Sequence, residues 1–83
     1  MQKYHTNNEA KMRQYHVMMD LARDPTSSLY NSDGTHNRGA SHRGTFWDGY
    51  EFGAKYPHRV PGTRSLSYCV WRAGIDFKGE QDA

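Results

Sequence analysis

The segments Thr-Phe-Trp-Asp-Gly-Tyr-Glu-Phe-Gly-Ala (45–54) and Tyr-Cys-Val-Trp-Arg-Ala-Gly-Ile-Asp-Phe (68–77) carry the pattern that decides the fold. Both tryptophans, all three phenylalanines and four of the eight glycines lie between residues 45 and 77. The chain has a weak duplication: Phe46 is followed three positions later by Gly49, and Trp71 by Gly74. Glycine costs about 1 kcal/mol inside a helix, so its repeated use predicts two closely packed helices.

The flanking residues define the two helices of this predicted hairpin. Thr45 and Asp48 resemble a capping pair and predict a helix over about 46–55, which Pro57 ends. Thr63 or Ser65 is expected to cap a second helix over about 66–77. Its apolar stripe comprises Leu66, Cys69, Val70, Ala73 and Phe77. A strand over Ser67–Trp71 is the alternative, because these residues have high β propensity.

An amphipathic helix is predicted over residues 9–23, which contain no Gly or Pro. Thr6 or Asn7 is expected to cap it, and Asp24-Pro25 ends it. Its apolar residues recur at three- and four-residue steps: Met12, Tyr15, Met19 and Ala22. We expect this face to pack on the hairpin, which has little core of its own; docking of its methionines on a partner is the alternative.

The sequence thus predicts an all-α protein with four parts. These are an N-terminal amphipathic helix (1–24), a flexible linker (25–44), a C-terminal helical hairpin (45–77) and a frayed tail (78–83). Residues 24–44 consist mainly of Ser, Gly, Asn and His, a composition typical of linkers. We expect the linker to be disordered, or to order only on binding.

Composition limits the kinds of function this chain can have. It has 83 residues, 35% of them hydrophobic, and a mean hydropathy of −1.05, which predicts one domain with a small core. A substrate pocket would be hard to build, so no small-molecule substrate or cofactor is expected. The net charge of +2 permits contact with nucleic acid without demanding it. The single cysteine and the lack of a membrane span or signal peptide favour a cytoplasmic protein.

Metal binding and catalysis find no support in the residue spacing. The five histidines and Cys69 fit no zinc template. Asp48 and Glu51 lie three apart on a predicted helix, as surface carboxylates commonly do. No nucleophile is paired with a positioned base, so we expect a protein that is not an enzyme.

Basic residues cluster at two places that could contact a partner. His36, Arg38, His42 and Arg43 lie in the linker, and a second group surrounds the turn between the hairpin helices. The candidate contact residues are Arg43, Trp47, Lys55, His58, Arg59, Arg64 and Arg72. The cations could neutralise phosphates, and Tyr50, Trp47 or Trp71 could stack on unpaired bases. The alternative is that the charges are a solvated face and the aromatic rings are core.

The C-terminal half resembles the ribosome modulation factor family and its short phage and bacterial relatives. Those proteins carry an aromatic-x-x-Gly-aromatic-x-x-Gly segment, a turn containing proline, and then Trp-x-x-Gly followed by an apolar residue. The matching residues are Phe46/Trp47, Gly49, Tyr50 and Gly53, then Pro57 and Pro61-Gly62, then Trp71, Gly74 and Ile75. The aromatic and glycine residues Phe46, Gly49, Tyr50, Gly53, Trp71 and Gly74 are the expected scaffold.

The resemblance implies a small helical protein that binds the ribosomal small subunit through rRNA and modulates translation. A rival hypothesis is an inhibitor or adaptor, phage-encoded, that binds a host protein such as a nuclease or polymerase. Residues 45–83 contain five basic and five acidic side chains, a balance that favours the rival. A dedicated rRNA binder is expected to be more basic.

Overall fold

The computed structural model describes residues 3–83, and its regular structure is helical throughout that range. It contains α1 (Glu9–Arg23), α2 (Ser41–Phe52) and α3 (Leu66–Asp82). Two single-turn 3-10 helices, Gly53–Lys55 and Pro57–Arg59, lie between α2 and α3. The all-α prediction is therefore confirmed, and residues 67–71, for which a strand was the alternative, are helical.

Helix α1 has the predicted bounds and packs on α3. Its N-cap is Asn8 rather than Thr6 or Asn7, because the Asn8 Oδ1 accepts a hydrogen bond from the Lys11 N–H at 3.1 Å. The buried face comprises Tyr15, Met18, Met19 and Ala22. The methionine face is thus part of the core, as the three-helix expectation required.

Asp76 on α3 fastens both α1 and the N-terminal segment to the rest of the molecule. Its Oδ2 accepts a hydrogen bond from the Tyr15 hydroxyl at 2.6 Å and another from the Tyr4 backbone N–H at 2.8 Å. The rings of Tyr4 and Tyr15 also contact each other, with centroids 5.3 Å apart. One carboxylate therefore connects three parts of the chain.

Helices α2 and α3 touch backbone to backbone at two glycines. A Cβ built on Gly49 would lie 2.1 Å from the Trp71 carbonyl oxygen, and one built on Gly74 would lie 2.0 Å from the Phe46 carbonyl oxygen. These four residues are the two aromatic-x-x-Gly units of the sequence. The pairing is reciprocal: Gly49 of the first unit makes room for the carbonyl of Trp71 in the second unit, and Gly74 of the second makes room for the carbonyl of Phe46 in the first. We call this arrangement the glycine crossing.

Gly53 has a different role from Gly49 and Gly74. It ends α2 with a φ of 55°, a left-handed conformation that side chains disfavour. A Cβ there would meet nothing within 4 Å, so this residue serves helix termination rather than close packing.

The bounds of α2 and α3 differ from those predicted. Helix α2 begins at Ser41, not near residue 46, and Thr45 lies inside it without capping it. Ser65 caps α3 as predicted, since its Oγ accepts from the Tyr68 N–H at 3.2 Å. Helix α3 continues to Asp82 through the residues predicted to fray. An ion pair between Arg23 and Glu80 at 2.7 Å holds this last part against α1.

Residues 24–40, which we call the covering segment, have a defined path despite their linker-like composition. Leu29 is fully buried in the core, and its carbonyl accepts the Asn37 N–H at 2.9 Å. A turn with Gly34 at φ 86° reverses the chain between Tyr30 and His36, which form an isolated antiparallel bridge. The stretch predicted to be a flexible linker therefore places one residue, Leu29, in the core.

The glycine crossing generates the first prediction. The change Gly74→Ala places a methyl group against the Phe46 carbonyl and is expected to destabilise the fold by about 3 kcal/mol. Chemical denaturation followed by circular dichroism measures this loss. The matched control is Gly79→Ala on the same helix, where a Cβ would meet nothing within 4 Å and stability should rise by up to about 1 kcal/mol. Equal losses in the two variants would contradict the role given to Gly74.

Tyr15 generates a prediction about alkaline pH. Burial, and then its hydrogen bond to Asp76, raise the pKa of the Tyr15 hydroxyl well above its ordinary value of about 10. The unfolded chain therefore releases this proton first, so the free energy of unfolding should fall as the pH rises above about 10. Denaturation midpoints at neutral and alkaline pH, compared between the natural chain and Tyr15→Phe, measure the effect. An unchanged alkaline slope in Tyr15→Phe would show that Tyr15 is not its source.

Candidate functional site

The outward face of α2 and the turn that follows it bring together arginines, carboxylates and aromatic rings. Arg38 reaches it from the end of the covering segment, and Arg59 from the second 3-10 helix. The members of this surface are Arg38, Asp48, Glu51, Phe52, Tyr56 and Arg59, and we call it the arginine surface.

Two carboxylates of α2 hold the two arginines in place. The Arg38 Nη1 donates to the Asp48 Oδ1 at 2.7 Å, and its Nη2 donates to Glu51. The Arg59 Nη1 shares the same Asp48 oxygen at 3.4 Å. Burial lowers the pKa of Arg38, but its hydrogen bonds to Asp48 and Glu51 outweigh this and raise the pKa above its ordinary value. Much of the positive charge here is therefore neutralised within the chain.

Aromatic rings lie beside these ion pairs. The guanidinium carbon of Arg59 is 5.0 Å from the centre of the Phe52 ring, and that of Arg38 is 6.0 Å from it. Both distances are in the range of cation–π contacts. Tyr56 meets the Phe52 ring edge to face, with centroids 5.3 Å apart. Phe52 thus positions both arginines and the tyrosine.

His36 connects the arginine surface to the core beneath it. Its ring stacks on the Trp47 indole with centroids 3.6 Å apart and an interplanar angle of 1°. Its Nδ1 lies 3.6 Å from Glu51, the carboxylate that also binds Arg38. The covering segment therefore contributes a residue to the core stack and another to the surface ion pairs.

Trp47 is a core residue, so its prediction as a contact residue was wrong. It is fully buried, and its indole Nε1 donates to the Leu29 carbonyl at 3.1 Å. The covering segment lies over it, which the linker interpretation did not allow. Trp71, considered for base stacking, is also buried, with 3% of its surface exposed.

The other predicted contact residues fall at separate places. Lys55, His58 and Arg59 are exposed around Tyr56 in the turn after α2. Arg64 lies next to α1, where its carbonyl accepts from the Lys11 ammonium at 2.8 Å.

Two further predicted contact residues lie on the helices themselves. Arg43 is half-buried in the first turn of α2, at the opposite end of that helix from Phe52. Arg72 lies 5.5 Å from the ring of Tyr4 and 5.9 Å from that of Tyr68. The predicted set is thus not one continuous surface.

The sequence reasoning missed Tyr56 and Phe52 and discounted Asp48 and Glu51. A signal for Tyr56 was present, because an aromatic residue directly before Pro57 and after a helix-ending glycine has little core to enter. Phe52 gave no comparable signal. The Asp33-Gly34 pair was a turn signal that could have placed His36 and Arg38 near a folded element.

Comparison with known proteins gives no match: no protein-family model, no curated protein and no solved structure is significantly similar to this chain. Within residues 3–83, none of the helices has the length and apolar character needed to cross a lipid bilayer. The same residues bring together no group of three or more side chains suited to holding a metal ion.

The shared carboxylate generates a prediction about stability. Asp48→Asn removes the negative charge that both arginines share, yet these groups are partly solvated, so the loss should not exceed about 1 kcal/mol. Thermal denaturation at low and moderate salt measures it, and the loss should shrink as salt rises. Asp20→Asn is the matched control, since the Asp20 side chain is 78% exposed and pairs with one arginine, Arg23, among residues 3–83. A loss of several kcal/mol would mean that Asp48 supports the core.

Proposed function

We propose that this chain is a small non-enzymatic protein that binds the ribosome through rRNA and modulates translation. The observation that carries the proposal is the turn after α2, where the basic residues Lys55, His58 and Arg59 are exposed and lie within three positions of the exposed Tyr56. Cations that neutralise phosphates and aromatic rings that stack on bases are what single-stranded RNA requires of a binding surface.

The glycine crossing gives the proposal a second support. Gly49 and Gly74, two of the residues that carry the resemblance to ribosome modulation factors, are residues at which the backbones of α2 and α3 touch. The aromatic and glycine residues of the motif thus act as scaffold, leaving the turn between the helices to meet a partner. This division of roles is the one that we expect from the sequence.

The rival function, an inhibitor or adaptor of a host protein, is favoured by a different observation. Arg38 and Arg59 are already paired with Asp48 and Glu51, so a phosphate would have to compete with these carboxylates. An interface of alternating charges around Phe52 suits a protein partner with complementary charges.

Salt dependence separates the two functions. The natural chain, mixed with purified ribosomal subunits and centrifuged, should sediment with the small subunit at low salt and dissociate at moderate salt. Lys55→Ala should weaken this binding and reduce the salt slope by about 0.7–0.9 for each phosphate that the variant no longer neutralises. Arg13→Ala, which removes an exposed cation on α1, is the charge-matched control and should bind as the natural chain does.

Asp48→Asn adds a second test to the same experiment, because the two functions predict opposite changes in affinity. If the partner is rRNA, freeing Arg38 and Arg59 from their shared carboxylate should tighten binding. If the partner is a protein of complementary charge, removal of a negative group should weaken binding instead. A chain that stays unbound at both salt concentrations would contradict the rRNA function.

A further inference from the structure

The exposed aromatic rings are where a base could stack, and the structure leaves few of them. Trp47 and Trp71 are buried, and Tyr50 is half-buried, with its ring against His36, Trp47 and Phe77. Of the Tyr, Trp and Phe residues in the part of the chain that the structure describes, Tyr56 is the one that is exposed, at 44% of its area, while the others are buried or half-buried. A stacking contact therefore points to Tyr56 and away from both tryptophans.

The backbone around Tyr56 holds its ring in a defined position. The Tyr56 carbonyl accepts the Arg59 N–H at 2.9 Å, and Pro57 fixes the first position of the following 3-10 turn. The Phe52 ring packs on Tyr56 at an interplanar angle of 74°, and the centroid of the His58 ring lies 6.1 Å from that of Tyr56. A ring already held in place loses little entropy when a ligand binds.

Basic side chains flank this ring along the chain. Lys55 precedes Tyr56, and His58 and Arg59 follow it by two and three positions. In residues 3–83, Lys55 and His58 form no ion pair with a carboxylate, whereas Arg59 pairs with Asp48. The positive charge of Lys55, next to Tyr56 in the chain, is thus available to an anionic backbone.

We infer that Tyr56 is the stacking platform for one unpaired RNA base, while Lys55 and His58 contact the phosphates on either side of that nucleotide. This inference rests on the proposed function and names the form of RNA that the surface takes: single-stranded RNA. A paired base keeps its faces inside the helix stack, so a duplex cannot use this platform.

The test measures the binding of a fluorescently labelled single-stranded oligoadenylate by anisotropy over a series of salt concentrations. Tyr56→Ala should weaken binding by about 5- to 150-fold, the range expected for the loss of one base–aromatic stack. The loss should be the same at every salt concentration, because stacking releases no counterions. Lys55→Ala should instead reduce the salt slope.

Matched variants separate stacking from folding and from the hydroxyl group. Tyr56→Phe keeps the ring and should bind as the natural chain does. Leu66→Ala removes another large exposed apolar side chain, 56% exposed, and should also leave binding unchanged. Circular dichroism checks that each variant keeps its helices. Should Tyr56→Ala fail to fold, Tyr56→Trp provides a direct readout, since its new exposed indole should be quenched by the bound base.

The outcomes distinguish the inference from the proposed function. If Tyr56→Ala binds the oligonucleotide normally, if Tyr56→Phe loses binding, or if the same sequence binds equally well as a duplex, the stacking platform is overturned while RNA binding stands. If the natural chain binds neither the oligonucleotide nor ribosomal subunits at low salt, the proposed function itself is overturned. Salt-independent loss in Tyr56→Ala together with retained binding in Tyr56→Phe supports the inference.

Discussion

The contact of two helix backbones at Gly49 and Gly74 is the constraint on which the rest of this structure depends. Helices usually lie about 8–10 Å apart because side chains separate them, whereas here each glycine admits a carbonyl oxygen of the other helix. The close approach lets short helices enclose the large rings of Phe46, Trp47 and Phe77. A small domain with few apolar residues obtains a dry core in this way, and α1 completes it through Tyr15 and its methionines.

The covering segment makes the second contribution that a helical hairpin alone could not supply. It buries Leu29, stacks His36 on Trp47 and accepts the indole N–H of Trp47 at the Leu29 carbonyl. Its next residues then turn outward, where Arg38 joins the carboxylates of α2. One stretch that resembles a linker in composition therefore contacts both the buried Trp47 and the neighbouring surface carboxylates of α2.

Local patterns predicted the elements that local forces determine. The period of α1, its proline stop and the Ser65 cap were all readable because they depend on residues within one or two helical turns. Close packing of the two helices at glycines was predicted from the sequence, because only the free energy gained by close packing offsets the cost of a glycine inside a helix. The position of Trp47 was not, because its burial depends on Leu29, eighteen residues earlier in the chain. The arginine surface could not be predicted for the same reason. In sequence, Asp48 and Glu51 are ordinary surface carboxylates, and only the folded chain brings Arg38 and Arg59 to them.

The cover over Trp47 also determines how the chain behaves when it is only partly folded. If residues 24–40 detach while α2 and α3 stay together, the faces of Trp47 and the apolar surface around Leu29 become open to water, and the indole N–H loses its acceptor. A molecule opened in this way exposes an aromatic, apolar patch on an otherwise polar surface, and such patches favour aggregation. Self-association of the partly folded chain would therefore depend on the covering segment rather than on any helix. The hydrogen bond from the Trp47 indole to the Leu29 carbonyl, which helps to hold this segment in place, would then also limit aggregation.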